Sequence, residues 1–248
     1  RFKLASVNEI ADSYDHNPNA DFHQLVADMA KIPRSQAKVI NLGLFYGMGK
    51  AKLMAELGVT KTKADEIFGI YHSKVPFVKQ LTNKLMTAAQ RNGKIKTILN
   101  RKCRFPKYEP ILKGNDWGKY IPPQDHERML ELQAMGPYMK DDEGEFVIDK
   151  NGNKQKNYWH ENDSRRAFTY KALNKLIQGS AADMTKKAML ELYKEGITPH
   201  IQIHDELDIS VINDLEAAKI KDIMEHAVDL QIPNKVDYES GPNWGTIK

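Results

Sequence analysis

The amino-acid sequence predicts an α+β fold that is mostly helical, on three observations. Over residues 76–92, apolar residues recur at helical spacing. Over residues 200–211, apolar residues alternate with polar ones, as they do along a pair of strands. The dipeptide Asn151-Gly152 separates residues 145–149 from residues 154–159, which is the pattern of a β-hairpin. Helices should therefore dominate the first half of the chain, with strands in its middle and near its end.

Local start and stop signals predict the remaining elements. Helices are expected over 1–32, with a polar break at 15–19, and over 33–49, with Gly47 and Gly49 at the end. A short helix is expected over 50–57, and a capping box of Thr62 and Asp65 opens another that runs through Tyr71. Further helices are expected over 164–195, in one or two pieces, and over 215–230. No internal repeat is evident. Three parts are predicted: 1–106 with the first helices, 107–163 as an insertion with a hairpin, and 164–248 as a C-terminal part with a strand pair.

Composition bounds the class of protein. The chain has 248 residues, 41% of them hydrophobic and 28% charged, so it can bury a core. Its net charge of +4 is compatible with a nucleic-acid partner but does not prove one. The single Cys103 excludes a disulfide framework and fits a reducing cytoplasm, that of a host cell if the protein is viral. We find no apolar run of bilayer length, so a membrane partner is not expected.

The most informative segment begins at Arg34. Arg34, Lys38 and Leu42 recur every fourth residue, so on a helix they form one stripe, with Tyr46 just beyond it. Pro33 occupies a favoured position before the first turn. The stripe leads from two cations, through an apolar patch, to an aromatic ring, which suits a nucleoside triphosphate. A surface helix with solvated cations is the alternative for any Arg-x-x-x-Lys pair taken alone.

A second segment, His204-Asp205-Glu206, interrupts the alternating strand pattern. Asp205 falls on the apolar phase, where a lone buried carboxylate costs several kcal/mol. Either the chain turns here or Asp205 has a strong partner. A tight turn would place two adjacent carboxylates at a hairpin tip, where oxygen ligands suit Mg²⁺. A solvated tip without metal is the alternative. An endoplasmic reticulum retention signal is excluded because this His-Asp-Glu-Leu is internal.

Together these residues resemble DNA polymerases of family A, the group of bacterial DNA polymerase I and several phage replicases. Arg34, Lys38 and Tyr46-Gly47 resemble the nucleotide-binding fingers helix of that family, and Ile203-His204-Asp205-Glu206-Leu207 resembles its metal-binding palm motif. Further matches are Asp21-Phe22-His23; Tyr71, Pro76 and Val78; Gly93 with Arg101-Lys102-Cys103-Arg104-Phe105-Pro106; Asn174-x-x-x-Gln178-Gly179-Ser180-Ala181-Ala182-Asp183; and Gly241-x-x-Trp244. The short spacing between His23 and Arg34 favours a phage-like member.

The resemblance implies a fingers subdomain, part of an antiparallel-sheet palm, and roles for particular residues. Nucleotide (dNTP) contacts are implied for His23, Arg34, Lys38, Leu42 and Tyr46. Lys38 would also act in catalysis by neutralising, and as a candidate for protonating, the leaving pyrophosphate. Asp205 and Glu206 are implied as catalytic metal ligands, with two Mg²⁺ ions as cofactor. Contacts to primer–template DNA are implied for Arg101, Lys102, Arg104, Asn174, Gln178, Gln202 and His204.

Each of these roles has a plainer alternative. Asn174 and Gln178 could form a solvated helix face, and Arg101, Lys102 and Arg104 a surface charge cluster. Trp244 is interpreted as a packing anchor.

The chain departs from the family pattern in three ways. The upstream palm motif with the other metal aspartate is absent, and Arg1 matches the final arginine of that motif. The chain is therefore expected to be a fragment, inactive alone and completed by an upstream piece that carries the thumb and the first palm motif. Leu42 stands where Phe or Tyr is common, so its effect on sugar selectivity stays open. Residues 107–163 exceed the usual connection.

Three hypotheses remain. The first is the C-terminal portion of a split or truncated DNA polymerase. The second is a non-catalytic nucleic-acid-binding remnant of the fold, against which the intact Arg34, Lys38, Asp205 and Glu206 argue. The third is an unrelated phosphohydrolase, which would hydrolyse nucleotides without a template.

Overall fold

The structure, a computed structural model, describes residue 17 and residues 21–45 and 50–246. Helices are joined by short antiparallel strand pairs, which confirms the mostly helical α+β class. The chain groups into two compact units. The first unit combines the residues through Asn83 with Lys96–Arg101 and Leu173–Lys248, and the second contains Lys84–Ile95 and Lys102–Ala172. The three-part division predicted from the sequence stays a prediction.

Consecutive helices make up the early part of the first unit. They are α1 (Phe22–Ala30), α2 (Arg34–Phe45), α3 (Lys50–Leu57), α4 (Lys61–Lys74) and α5 (Pro76–Asn92), whose last residues belong to the second unit. Helix α1 packs against α2 and α4. Val26, Ile40 and Tyr71 are buried, so the apolar stripes of these amphipathic helices form the core that fixes α2.

The end of the first unit contains helix α7 (Ala172–Lys194), a hairpin and helix α8 (Asp214–His226). The hairpin strands are β5 (Ile201–Ile203) and β6 (Glu206–Asp208), which pair antiparallel with Ile203 opposite Glu206. Leu192 is completely buried, and Ile220 is buried on α8. None of the helices in the described part of the chain is long and apolar enough to cross a membrane.

The second unit contains the end of α5, most of a hairpin whose residues Lys96–Arg101 belong to the first unit, a strand pair and one further helix. The hairpin strands are β1 (Lys94–Lys96) and β2 (Lys102–Arg104). Strand β3 (Tyr108–Pro110) pairs with β4 (Ser164–Arg166), and helix α6 (His126–Ala134) lies between β3 and β4 in sequence. Met129, Leu132 and Trp159 form a small core of their own. The pairing of Tyr108 with Arg166 closes residues 109–165 into one loop-rich body.

Residues 137–157 form a ribbon of three short segments. The backbone N–H of Met139 donates to Gln155, that of Gln155 to Val147, and that of Val147 to Met139, at 2.8–3.0 Å. The turns between the segments repeat: Asp141 and Asp149 each accept two backbone N–H groups through Oδ1. An eight-residue repeat is thus present that sequence reading missed, because only Asp and Gly recur while the other positions differ.

Several predicted element bounds were wrong. Helix α4 is capped by Thr60, whose hydroxyl accepts the Lys63 N–H, and not by Thr62. Residues 164–166 form a strand and 169–171 a 3₁₀ turn, so the helix predicted over 164–195 starts only at Ala172. Helix α8 ends at His226, short of residue 230. The bend at Tyr46-Gly47 and most of the helix predicted over 1–32 lie outside the described residues.

Two helix-ending glycines give a matched pair for a stability test. Gly58 and Gly93 have φ of +63° and +64°, but a Cβ on Gly58 would meet open space. A Cβ on Gly93 would lie 2.7 Å from Cζ of Arg166. The Arg166 guanidinium donates to the Phe105 carbonyl at 3.0 Å and lies 4.9 Å from the centre of the Tyr108 ring. Displacement of the guanidinium by a new Cβ would break both contacts.

We expect Gly58→Ala to lower the free energy of unfolding by about 1 kcal/mol and Gly93→Ala by roughly 2–3 kcal/mol. Both variants incur left-handed backbone strain, and only Gly93→Ala adds the clash. Urea denaturation followed by circular dichroism measures the difference. Equal losses for the two variants would show that Arg166 moves aside at no cost.

Candidate functional site

A polar network joins the start of α1 to the start of α2. Asp21 caps α1: its Oδ1 accepts the backbone N–H groups of His23 at 2.8 Å and Gln24 at 3.1 Å. Its Oδ2 accepts from Nε of Arg34 at 2.7 Å. The hydrogen bond from Arg34 is the main reason that the pKa of Asp21 lies below its ordinary value. Arg34 is thus held in place while half of its side chain stays exposed.

His23 is oriented by a residue of α2. Asn41 is completely buried, and its amide nitrogen lies 2.9 Å from Nδ1 of His23. Because an amide NH₂ group only donates, Nδ1 is assigned as the acceptor, and a neutral imidazole then carries its proton on Nε2. Burial, with the nearby cations Arg34 and Lys38, lowers the pKa of His23, although Asp21 opposes the shift. His23 is therefore a neutral hydrogen-bond donor at pH 7.

Lys38 lies one turn after Arg34 on α2, and it is exposed. No side chain among the described residues forms a hydrogen bond or ion pair with Lys38. Leu42 follows one turn later and is half-buried. Tyr46, the last residue of the predicted stripe, lies outside the described residues. The structure therefore places two cations and an imidazole donor on the α1–α2 surface, which is suited to an anionic ligand.

The closeness of Lys38 to His23 has a measurable consequence. A cation disfavours the protonated imidazolium, so Lys38→Met should raise the pKa of His23. Titration of the His23 ring followed by NMR would measure the change. Lys52→Met, which removes an exposed lysine of α3, should leave the His23 pKa unchanged. A Lys38→Met variant with an unaltered His23 titration would contradict this arrangement.

The turn between β5 and β6 carries the acidic pair. Ile203 and Glu206 close the strand pair, so His204 and Asp205 form the connection, and His204 has φ of +54°. Of the two options left open by the sequence, the chain therefore turns. Asp205 and Glu206 are both exposed, and neither has a hydrogen-bonded or ion-paired partner in the described part of the chain.

These two carboxylates fit a hard divalent cation only in part. Mg²⁺ is commonly held by one or two carboxylates plus substrate phosphates and waters. Asp205 and Glu206 can supply that minimum. No cluster of three or more His, Cys, Asp or Glu residues within the described ranges is arranged to hold a metal. A complete protein site would need a further ligand from elsewhere.

The residues predicted to contact DNA are distributed over several elements. Arg101 donates through Nε to Asp183 at 2.6 Å and through Nη2 to the Gly179 carbonyl at 2.6 Å, yet stays 46% exposed. Lys102 and Arg104 lie on β2, in the second unit. Asn174 and Gln178 lie one turn apart on α7, and Gln202 on β5 donates to the His204 carbonyl. DNA contact by each of these residues stays a prediction.

Two positions with structural roles in the site were missed by sequence reading. Asn41 orients His23, and its spacing of three residues from Lys38 could have indicated that both share a helix face. Asp183 is 5% exposed and anchors Arg101. Burial alone would raise the pKa of Asp183, but hydrogen bonds from Thr97 and Arg101 lower it. No sequence signal identified that pairing, because it joins positions 82 residues apart.

The α2 cations and the β5–β6 carboxylates both belong to the first unit. Each group is assembled locally, the first by α1 and α2 and the second by the hairpin turn. Across the described residues, no hydrogen bond or ion pair connects Arg34 or Lys38 with Asp205 or Glu206.

The fold matches a known polymerase architecture. The POL domain of Pol1 from M. smegmatis, solved in complex with DNA primer-template and dNTP, superposes with a TM-score of 0.60 over 93% of this chain and 34% of that chain, at 22% sequence identity. The family model for DNA polymerase family A matches residues 4–246. The chain therefore belongs to DNA polymerase family A.

Phage and bacterial relatives support the same assignment. A DNA-directed DNA polymerase of Pseudomonas phage M6 is 32% identical over 97% of this chain and 33% of its own length. DNA polymerase I of Geobacillus stearothermophilus is 29% identical over 92% of this chain and 21% of its own length. The chain thus spans about a third or less of the curated relatives it matches. The prediction of a family A polymerase with phage-like relatives is confirmed.

Proposed function

We propose that this chain is the fingers and C-terminal palm portion of an enzyme that carries out template-directed DNA synthesis. One observation carries the proposal. In a chain of family A, α1 and α2 present Arg34, Lys38 and neutral His23, while the β5–β6 turn presents Asp205 and Glu206 without partners among the described residues. These are the two charge patterns that a nucleoside triphosphate and its divalent cation require.

The reaction is attack of the primer 3′-hydroxyl oxygen on the α-phosphorus of a dNTP. A new oxygen–phosphorus bond forms, and the hydroxyl loses its proton to solvent. The bond between the α-phosphorus and the oxygen that bridges it to the β-phosphorus breaks, and pyrophosphate leaves. Catalysis of such a transfer consists mostly of positioning and electrostatic stabilisation. Arg34 would bind the triphosphate, His23 would donate from Nε2 to its outer oxygens, and Lys38 would stabilise the charge that develops on pyrophosphate.

The acidic turn would hold the divalent cation, which we propose to be Mg²⁺. Asp205 is the proposed principal ligand, with Glu206 in support. When bound, the ions would supply positive charge to the reacting phosphate oxygens. A second ion would need a carboxylate from the upstream palm motif. The chain's own contribution is a tight turn that keeps two carboxylates adjacent.

Apolar residues around the hairpin support the need for an upstream piece. Ile201 is 41% exposed, Ile212 89% and Leu215 81%. In the described part of the chain, β5 and β6 form a sheet of only two strands. Two strands alone are marginally stable in water, so additional strands of a palm sheet would both cover this surface and complete the metal site.

The test is complementation. The chain is mixed with a separately made fragment carrying the thumb and the first palm motif, and extension of a primer on a DNA template is measured with Mg²⁺. Extension by the mixture, and by neither piece alone, is expected. Primer–template binding without extension would favour the non-catalytic remnant, and template-independent release of phosphate by the chain alone would favour a phosphohydrolase.

A further inference from the structure

The loop that precedes α6 exposes two aromatic rings. Trp117 is 80% exposed and Tyr120 is 77% exposed, more than any other Phe, Tyr or Trp ring whose exposure the structure describes. Single exposed apolar residues are ordinary on a protein surface. Trp117 and Tyr120 are three residues apart, so their Cα atoms lie within about 11 Å of each other and both rings belong to one short exposed segment. Neighbouring exposed apolar groups can mark a binding surface.

The loop is ordered by its own hydrogen bonds. The backbone N–H of Trp117 donates to Gly114 at 3.1 Å, and that of Lys119 donates to Asp116 at 3.1 Å. Gly114 and Gly118 adopt φ of +59° and +85°, a conformation that other residues rarely take. The backbone of the loop therefore forms a defined turn, and ligand binding would need little ordering of the backbone there.

In sequence, Lys113 precedes the two ring residues and Lys119 lies between them, and the side chains of Lys119 and Lys156 tie the loop to the ribbon. Lys119 and Lys156 each place Nζ 2.7 Å from a carboxylate oxygen of Asp116. Both ammonium groups lie 5.3 Å from the centre of the Tyr158 ring. Lys113 is exposed at the start of the loop. Residues 113–120 with Lys156 thus carry three positive charges and one negative charge, so this segment has a net positive charge.

We propose that residues 113–120, with Lys156, form a binding site for single-stranded nucleic acid. Bases would stack on Trp117 and Tyr120, and phosphates would contact Lys113, Lys119 and Lys156. Exposed aromatic rings interleaved with cations are the pattern by which proteins bind unpaired strands, because base faces are accessible only outside a duplex.

Acidic side chains elsewhere in the second unit limit where phosphates can bind. The turn with Asp141, Asp142, Glu143 and Glu145 is acidic and would repel phosphates. Phosphate contacts are therefore expected at the loop and at Lys156, near the end of the ribbon, and not at the acidic turn. The site belongs to the second unit and shares no residue with the proposed polymerisation residues, so it could bind a strand whether or not the chain is catalytic.

The experiment uses this chain and a fluorescein-labelled oligo(dT), with the dissociation constant measured by fluorescence anisotropy. Trp117→Ala with Tyr120→Ala should weaken binding by about fivefold or more for each ring that stacks. Trp117→Phe keeps a flat ring and should bind as the parent does. Tyr193→Ala removes another exposed ring, 69% accessible on α7, and should have no effect.

A second variant tests the cationic part. Lys113→Gln should reduce the slope of the logarithm of affinity against the logarithm of salt concentration by about 0.7, the value for one phosphate contact on a single strand. Asp205→Asn should retain oligo(dT) binding, so loss of synthesis and loss of this site are separable. An unchanged dissociation constant in the double aromatic variant, with an unchanged circular dichroism spectrum, overturns the proposal and assigns the rings to a protein contact instead.

Discussion

Asp205→Asn is expected to lower template-directed synthesis by the completed polymerase by about 10³-fold, since metal-ion charge stabilisation is worth several kcal/mol. Asp205 lies at the β5–β6 turn, exposed and without a partner among the described residues. Its carboxylate is therefore available to a cation, and the fold has no evident need of it. The amide keeps the shape of the side chain but removes the charge. Single-turnover primer extension with Mg²⁺ measures the loss.

The matched control for Asp205→Asn is Asp208→Asn on β6. It makes the same chemical change three residues away on the same hairpin. That variant should retain synthesis close to the parent level, and both variants should bind primer–template as the parent does. If Asp205→Asn still extends primers at the parent rate, Asp205 does not hold the catalytic metal. If both variants lose activity and structure together, the hairpin was disrupted and Glu206→Gln becomes the test.

Lys38→Met should lower the rate of nucleotide incorporation by about 10²–10³-fold, the usual cost of removing one preorganised donor from developing negative charge. Lys38 is exposed on α2, and its charge acts on His23, so both groups can face one triphosphate. An interaction that strengthens as pyrophosphate leaves should reduce kcat more than it raises KM for the dNTP. Pre-steady-state incorporation over a range of dNTP concentrations separates the two effects.

Lys52→Met is the control for charge removal elsewhere on the neighbouring helices. It should leave both kcat and KM unchanged. A Lys38→Met variant with a raised KM and an unchanged kcat would assign Lys38 to ground-state binding of the triphosphate. An unaltered kcat and KM would exclude Lys38 from the nucleotide site.

Much of the candidate site followed from local sequence patterns. Pro33 and the four-residue spacing of Arg34, Lys38 and Leu42 predicted a helix, and α2 runs from Arg34 to Phe45. The break in alternation at Asp205 left two options, a turn or a strong partner for the carboxylate, and the hairpin turns there. Both features depend on residues close together in the chain, where helical spacing and strand alternation act directly.

Features that depend on distant residues were not predicted. Residues 164–166 became a strand because β3 offers unpaired backbone groups about 56 residues earlier, with Glu109 opposite Arg165. Helical propensity alone favoured a continuous helix there. Arg101 was interpreted only as a DNA contact, whereas its side chain is also bound by Asp183 and Gly179. Such pairings carry no local periodic signal.

Consecutive or regularly spaced residues were enough to indicate the class of protein, the cationic stripe of α2 and an unusual acidic segment at Asp205. Tertiary structure alone decided that Asn41 is buried against His23, that Asp21 holds Arg34, and that Trp117 and Tyr120 stay exposed on an ordered loop. The physical reason is that burial and hydrogen-bond partnership depend on which segments pack together. Packing is a property of the whole chain, and no local window of sequence contains it.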